Sequence, residues 1–168
     1  MKSINLQDRA KTFVDDEDYE YLVTNFSWWL HKDKCHPLGY AQGTQRGSRA
    51  SARKHVYMHR IIAERAGMEI EGLLVDHENL NTLYNVRSNL RLATHSQSQH
   101  NKGKQCNNKS GYKGVSWWSQ RSLWIVQMNK DGKKFARCYF EKLEDAVKES
   151  IRLRELAHGE FANHGVAH

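Results

Sequence analysis

The stretch from Leu74 to Thr94 constrains this chain most: Leu74-Val75-Asp76-His77, a polar loop from Glu78 to Ser88, then Asn89-Leu90-Arg91-Leu92-Ala93-Thr94. Side chains alternate between the two faces of a strand, so Asp76 and His77 can serve one centre only where a strand ends and twists open. The loop after them allows that. Together they supply what single-metal hydrolysis of a phosphodiester requires: a base to activate water, and a carboxylate to hold a divalent cation that neutralises the phosphorane and leaving oxygens. Imidazole can be that base at about pH 7, and a carboxylate is a hard-cation ligand.

The segment resembles the HNH nuclease motif, a β-hairpin followed by a helix gripping one metal, in the form found in phage homing endonucleases. Val75-Asp76-His77, Asn85 and Asn89-Leu90-Arg91 with Ala93-Thr94, and the upstream Met58-His59-Arg60 carry the match. The resemblance implies an α+β fold whose N-terminal part, residues 1–101, is a ββα-metal domain of the His-Me finger kind. It makes His77 the general base, Asp76 a metal ligand and Asn89 the residue whose amide orients the His77 ring. It also implies one divalent cation, Mg2+ or Mn2+, as cofactor.

The chain departs from that pattern at several positions. The family usually carries a second ligand, Asn or His, four residues after Thr94, where this chain has Ser98. A hydroxyl is a poorer Mg2+ ligand than an amide or carboxylate oxygen, and Asn101, on the same helical face, is the alternative, directly or through water. Leu80 stands where the family usually has Gly, and Tyr84 where it usually has Asp.

A net charge of +7 and a pI near 9.4 point to a polyanionic partner, and a mean hydropathy of −0.82 without a long apolar run argues against a membrane span. The N-terminus lacks the apolar core of a signal peptide, so a cytoplasmic place in a bacterial or phage-infected cell is expected. Cys35, Cys106 and Cys138 are too scattered for a disulfide framework or for paired zinc ligands, and Cys35-His36 is at most half a metal site. No structural zinc is expected.

The charge is uneven. Residues 1–100 carry 13 Lys/Arg against 12 Asp/Glu, and residues 101–168 carry 13 against 7. Between the parts, residues 102–110 read as a basic linker whose Lys102 and Lys104 could follow a phosphate backbone. Upstream, Thr12-Phe13-Val14 precedes Asp15 to Asp18, which read as the acidic first turn of a short helix, N-capped and facing solvent. Ser27–His31 and Gly39–Gln42 read as strands joined by a turn at Lys32–Leu38. Gly43–Lys54, with Arg46, Arg49, Arg53 and Lys54, is a mobile hairpin tip or an arm on DNA, and His55–Tyr57 is the return strand. Met58–Ala66 reads as a helix stopping at Gly67, with Ile61, Ile62 and Ala66 beneath the catalytic hairpin. His59 is either a phosphate contact or a histidine satisfied between helix and hairpin.

In the C-terminal part, runs at 111–118, 123–128 and 133–140 read as three strands, the last two joined by a turn at Asn129–Gly132, and Glu141–Ala157 as an amphipathic helix. Lys113-Gly114-Val115, Trp124, Tyr139-Phe140, Glu144-Asp145-Ala146 and His158-Gly159-Glu160-Phe161-Ala162 resemble the DNA-binding domain of plant APETALA and ethylene-response factors. That resemblance covers residues 111–168. It implies a sheet face entering the major groove of double-stranded DNA, with Lys113, Ser116, Trp118, Arg121, Gln127, Asn129 and Lys134 facing the DNA. Several family arginines are replaced, with Ser116 and Trp118 in their places. Trp117, Trp124, Phe135, Tyr139 and Phe140 are expected in the core, and Trp118 on the outer face.

Two function classes fit: a site-preferring, homing-type DNA endonuclease, and a DNA-binding protein whose nuclease centre has decayed, with Ser98, Tyr84 and Leu80 as its marks. A third is an RNA-binding module, since basic sheets with exposed aromatics suit single strands. Monomer and dimer are both compatible with the sequence.

Overall fold

The computed structural model describes residues 1–7, 9–32, 38–47, 54–104, 108–130 and 133–165, which form two compact units, Met1–Thr94 and His95–His168. The division comes ahead of the expected 101/102 boundary, because the short helix after Thr94 packs with the C-terminal residues. Cys35, His36, Cys106, Arg49, Arg53 and the turn residues Asp131 and Gly132 lie outside the described residues.

The first unit begins with β1 (Lys2–Asn5) and β2 (Lys11–Val14), an antiparallel pair, and α1 (Asp16–Asn25). Next come β3 (Phe26–His31), β4 (Tyr40–Gln45) and β5 (His55–Tyr57), one antiparallel sheet, and α2 (Met58–Arg65). Strand β4 runs further than its sequence suggests. Gly43 sits in it because an added Cβ would lie 2.5 Å from the Trp28 ring. Helix α2 stops where Gly67 takes a φ of +76°, a left-handed conformation that costs glycine little.

Four short elements complete the unit: β6 (Leu74–His77), β7 (Tyr84–Asn85), a 3₁₀ turn at Arg87–Asn89 and β8 (Leu90–Ala93). Strands β6 and β8 pair antiparallel, with Asp76 opposite Arg91 and His77 opposite Leu90. Strand β7 instead adds in parallel to β2, setting Val14 beside Asn85. Val14, Leu22, Trp28, Met58 and Ile62 form the centre of the core, and each fully buried aliphatic side chain contributes about 1.5–3 kcal/mol. The Trp28 indole donates to the Leu22 carbonyl at 2.9 Å, so burying that ring leaves its N–H satisfied.

The acidic turn does not face solvent as a block. Asp18 is fully buried and takes hydrogen bonds from Arg65 Nε (2.8 Å) and from Arg87 Nε and Nη2 (2.8 and 2.9 Å). Asp15 makes no side-chain cap; its carboxylate accepts the Arg87 backbone N–H at 2.7 Å. Burial alone would raise the Asp18 pKa, but the two guanidinium groups outweigh it and hold the carboxyl below its ordinary value. Glu17 pairs with Arg87 at the surface.

The second unit contains α3 (His95–Asn101), β9 (Val115–Trp118), β10 (Leu123–Lys130), β11 (Lys133–Phe140), α4 (Leu143–His158) and a 3₁₀ turn at Gly159–Phe161. The sheet is antiparallel in the order β11-β10-β9, with a bulge between Met128 and Asn129. Helix α4 covers one face over Val115, Val126, Met128, Ala146, Leu153 and Ala157, with Trp124, Phe140 and Cys138 at the margin. Arg154 is buried, bonded to the Lys113 carbonyl and to Ser150 Oγ, and Gly114, at a φ of +76°, leaves it room. Among the described residues no helix is long and apolar enough to cross a membrane.

Candidate active site and nucleic-acid interface

Strand β6 buries Val75 and His77, leaves Leu74 exposed and keeps Asp76 partly exposed, as its period requires. The loop after it is held by asparagines. Asn79 Oδ1 accepts from Asn81 N (2.8 Å), Asn81 Oδ1 from Leu83 N (3.1 Å), and Glu78 N donates to the Asn89 carbonyl (2.9 Å). Asn89 does not orient the His77 ring. Its Oδ1 accepts from Asn79 N at 3.1 Å and its Nδ2 donates to the Tyr84 carbonyl at 2.8 Å, so it clamps the loop across its width.

The partner of the His77 ring is Asn85, with Nε2 and Oδ1 2.9 Å apart and both residues buried. Asn85 reaches this place through the β2–β7 pairing, which local sequence reading had no means to find. The His59 ring lies edge-on to His77 at 5.1 Å, with Tyr40 at 6.2 Å, so His59 is a buried histidine between helix and hairpin. Burial lowers the His77 pKa, with the Asn85 hydrogen bond in partial opposition, and holds His59 at about 3 with help from His77 and Arg60. Both rings are therefore neutral near neutrality.

Asp76 Oδ2 lies 3.5 Å from Arg91 Nε across the hairpin, and both side chains are largely covered. Arg91 was legible only as part of Asn-Leu-Arg; its pairing follows from the register. In the first unit the Asp76 carboxylate offers oxygen donors of the kind that suit a hard cation. Ser98 and Asn101 lie on α3 in the second unit, where the buried Asn101 Oδ1 is 3.5 Å from Asn163 Nδ2.

On the second unit's sheet, Ser116, Gln127, Asn129 and Lys134 are exposed, and Asn129 pairs with Lys134 in the register. Trp118 is half-buried, with the Arg121 guanidinium 4.8 Å over its ring and the Tyr139 ring 5.7 Å away. Arg137 stands 5.5 Å over Tyr139, so Arg121, Trp118, Tyr139 and Arg137 form a continuous row. Trp117, Phe135 and Tyr139 are not core residues: they are 49%, 43% and 46% exposed. In β11 the helix covers Ala136, Cys138 and Phe140, leaving the alternate residues outside. Those small residues are the signal in the sequence, and the same alternation sets Arg137 outside with Tyr139.

Lys113 also departs from its expected place. Its Nζ donates to the His100 carbonyl at 2.7 Å and to the Lys102 carbonyl, and burial beside Arg154 lowers its pKa to about 8. It ties the end of α3 to the sheet unit. Lys102 and Lys104 are exposed.

Residues 56–100 match the family model of HNH endonucleases. That stretch runs from β5 through the hairpin into α3, and the chain belongs to the HNH endonuclease family. Among its relatives is Protein 3.8 of Escherichia phage T7, 34% identical over 92 residues that cover 55% of this chain and 75% of that protein. No solved structure matches the chain.

Proposed function

We propose that this protein is a metal-dependent endonuclease of double-stranded DNA, of the site-preferring homing type. His77 is its general base, and the sheet face of the second unit holds the duplex. The observation that carries this reading is the HNH-matched hairpin, in which a buried, neutral His77 is hydrogen-bonded by Asn85 beside a carboxylate at the strand end. His77 accepts a proton from the attacking water, and a neutral ring is the form that can do so. Asp76 would hold a divalent cation, Mg2+ or Mn2+, with Ser98 or Asn101 as a second oxygen ligand. Bound there, the cation supplies charge neutralisation at the phosphorane and leaving oxygens. Arg91 keeps Asp76 paired across the hairpin.

The basic row Arg121, Trp118, Tyr139 and Arg137, with Ser116, Gln127, Asn129 and Lys134 around it, supports the DNA-binding part. Arginine and lysine neutralise phosphates, and polar side chains on a sheet can reach base edges in the major groove. The test is nicking of supercoiled plasmid by the full chain in Mg2+ and Mn2+. Metal-dependent relaxation that is absent in EDTA is the expected result. Duplex binding without nicking in either metal would instead establish a decayed centre, and preference for single-stranded RNA would replace both readings.

A further inference from the structure

We propose that the face of the β3-β4-β5 sheet turned away from the core is a further duplex-contact surface, which holds the DNA on one side of the scissile bond, with Arg46 as the phosphate contact at its far end. Where the cut falls rests on the nuclease reading, but the contact itself can be measured without cleavage.

The strand period sets the face. Trp28 points into the core and gives its indole N–H to the Leu22 carbonyl of α1, so Trp29 points the other way. The register then places side chains in rows on the Trp29 side: Ser27, Thr44 and His55 in one, and Trp29, Gln42 and Tyr57 in the next. Gln42 is buried, whereas Thr44, Trp29 and Tyr57 are half-buried and His55 is exposed. The His55 ring stands edge-on to Trp29 at 5.3 Å.

One end of this face joins the catalytic centre. The Tyr40 ring lies 5.9 Å from Tyr57 and 6.2 Å from His77. The other end opens into a cleft of about 430 Å³, whose walls include Gln7, Ser27, Thr44, Gln45 and Arg46. Arg46 is exposed, and its Nε donates to the Phe26 carbonyl at 2.8 Å, which anchors the guanidinium at the strand end and uses one of its five donors. Arg46 directly follows β4, which begins at Tyr40. At roughly 3.3 Å per residue the two are about 20 Å apart along the strand. With a phosphate about every 3.4 Å of helix axis on each DNA strand, that length corresponds to about six nucleotides.

Charge favours a polyanion on this face. No Asp or Glu occurs in Phe26–His31, Tyr40–Gln45 or His55–Tyr57, and residues 43–54 carry Arg46, Arg49, Arg53 and Lys54 without an acid. The acids nearest in sequence, Asp16, Glu17 and Glu20, belong to α1, whose Leu22 packs on the Trp28 side and so behind the sheet. Guanidinium, hydroxyl and amide groups are the side-chain donors that hold a DNA backbone in register.

The experiment is a gel-shift titration of the full chain in EDTA, on several duplexes of unrelated sequence and across a salt series, with single-turnover nicking in Mg2+ alongside. Arg46→Ala should weaken binding to every sequence alike and flatten the slope of log affinity against log salt by about 0.9, because one phosphate contact is lost. Arg46→Lys keeps the charge and should keep the slope. In nicking, the loss should appear as a higher DNA concentration for half-maximal rate. Gln45→Lys, which adds a cation to the cleft, should tighten binding and steepen the slope, and Glu20→Gln, the same change of charge on α1, should leave the slope as it is. A folded Arg46→Ala with the wild-type slope, or Gln45→Lys no different from Glu20→Gln, would overturn the proposal. If Arg46→Ala does not fold, the Gln45 and Glu20 variants decide. Nicking by a chain whose slope ignores Arg46 would keep the nuclease reading and remove this surface. An Arg46-dependent slope in a chain that cuts no duplex would keep the surface and remove that reading.

Discussion

In the N-terminal unit His77, Asn85, Thr12, Asn89 and Asp18 are buried, each with a hydrogen-bond partner, whereas on the C-terminal sheet Ser116, Gln127, Asn129, Arg137 and Tyr139 stand exposed. The contrast separates two physical tasks. A group that must take a proton at one nitrogen works best when its neighbours leave it a single arrangement and water is kept away. A surface that must meet a polyanion works best when its cations and rings remain accessible. One set of side chains is fixed, and the other is presented.

The sharpest way to break this comparison is His77→Ala. General-base catalysis contributes roughly 10²–10⁴-fold, so nicking should fall by at least that order while duplex affinity stays within about twofold. Equal loss of both would mean that the hairpin also binds. The readouts are single-turnover nicking and a gel-shift titration of the same preparation.

Next in size is Asp18→Asn. It leaves Arg65 and Arg87 beside a neutral amide; because both guanidinium groups stay partly exposed, 33% and 27%, the cost should fall below the about 3–5 kcal/mol of a fully buried pair. The melting of unit 1 should drop, with the sheet unit unaffected. The sign with pH follows from the lowered Asp18 pKa. This stabilisation is complete above the unfolded carboxyl value of about 3.9 and is lost as pH falls through the lower folded value, so wild type should lose the stability advantage over the variant under strong acid. An advantage that persists at pH values below the folded pKa would show that Asp18 acts by packing alone.

A smaller effect is expected from Arg121→Ala with Arg137→Ala. If each arginine neutralises one phosphate, the slope of log affinity against log salt should flatten by about 0.9 per residue, while the nicking rate at saturating DNA is kept. An unchanged slope would move the interface elsewhere. The least effect concerns Leu80, whose φ of +64° places a branched side chain in the left-handed region. Leu80→Gly should stabilise the first unit by about 1 kcal/mol, seen as a raised midpoint in urea.

Leu80 marks the limit of what is legible in the sequence. The absence of glycine was visible; the strained dihedral it leaves was not. Asp76 and His77 were legible because their meaning is local, a strand end before a polar loop. Asn85 was not, since its role depends on a parallel contact with Thr12 seventy-three residues away. The resemblance points to Asn89 as the ring's partner, yet its amide closes the loop, and the motif alone does not separate the two jobs. Asp18 reads in the sequence like its exposed acidic neighbours, because the guanidinium groups that meet it come from α2 and from the turn before β8. The ring of Tyr139 suggests a core place, although Ala136 and Cys138 beside it mark the covered side of β11.

The parallel seam between β2 and β7 also orders events in time. During synthesis, the strand carrying Thr12 leaves the ribosome long before residues 84 and 85 exist, and its outer edge stays open until they arrive. Closing contacts over such a span is slow compared with forming a hairpin, so the histidine's surroundings are completed late in folding. A nascent chain that already displays Asp76 and His77 still has an unlocked imidazole until β7 docks.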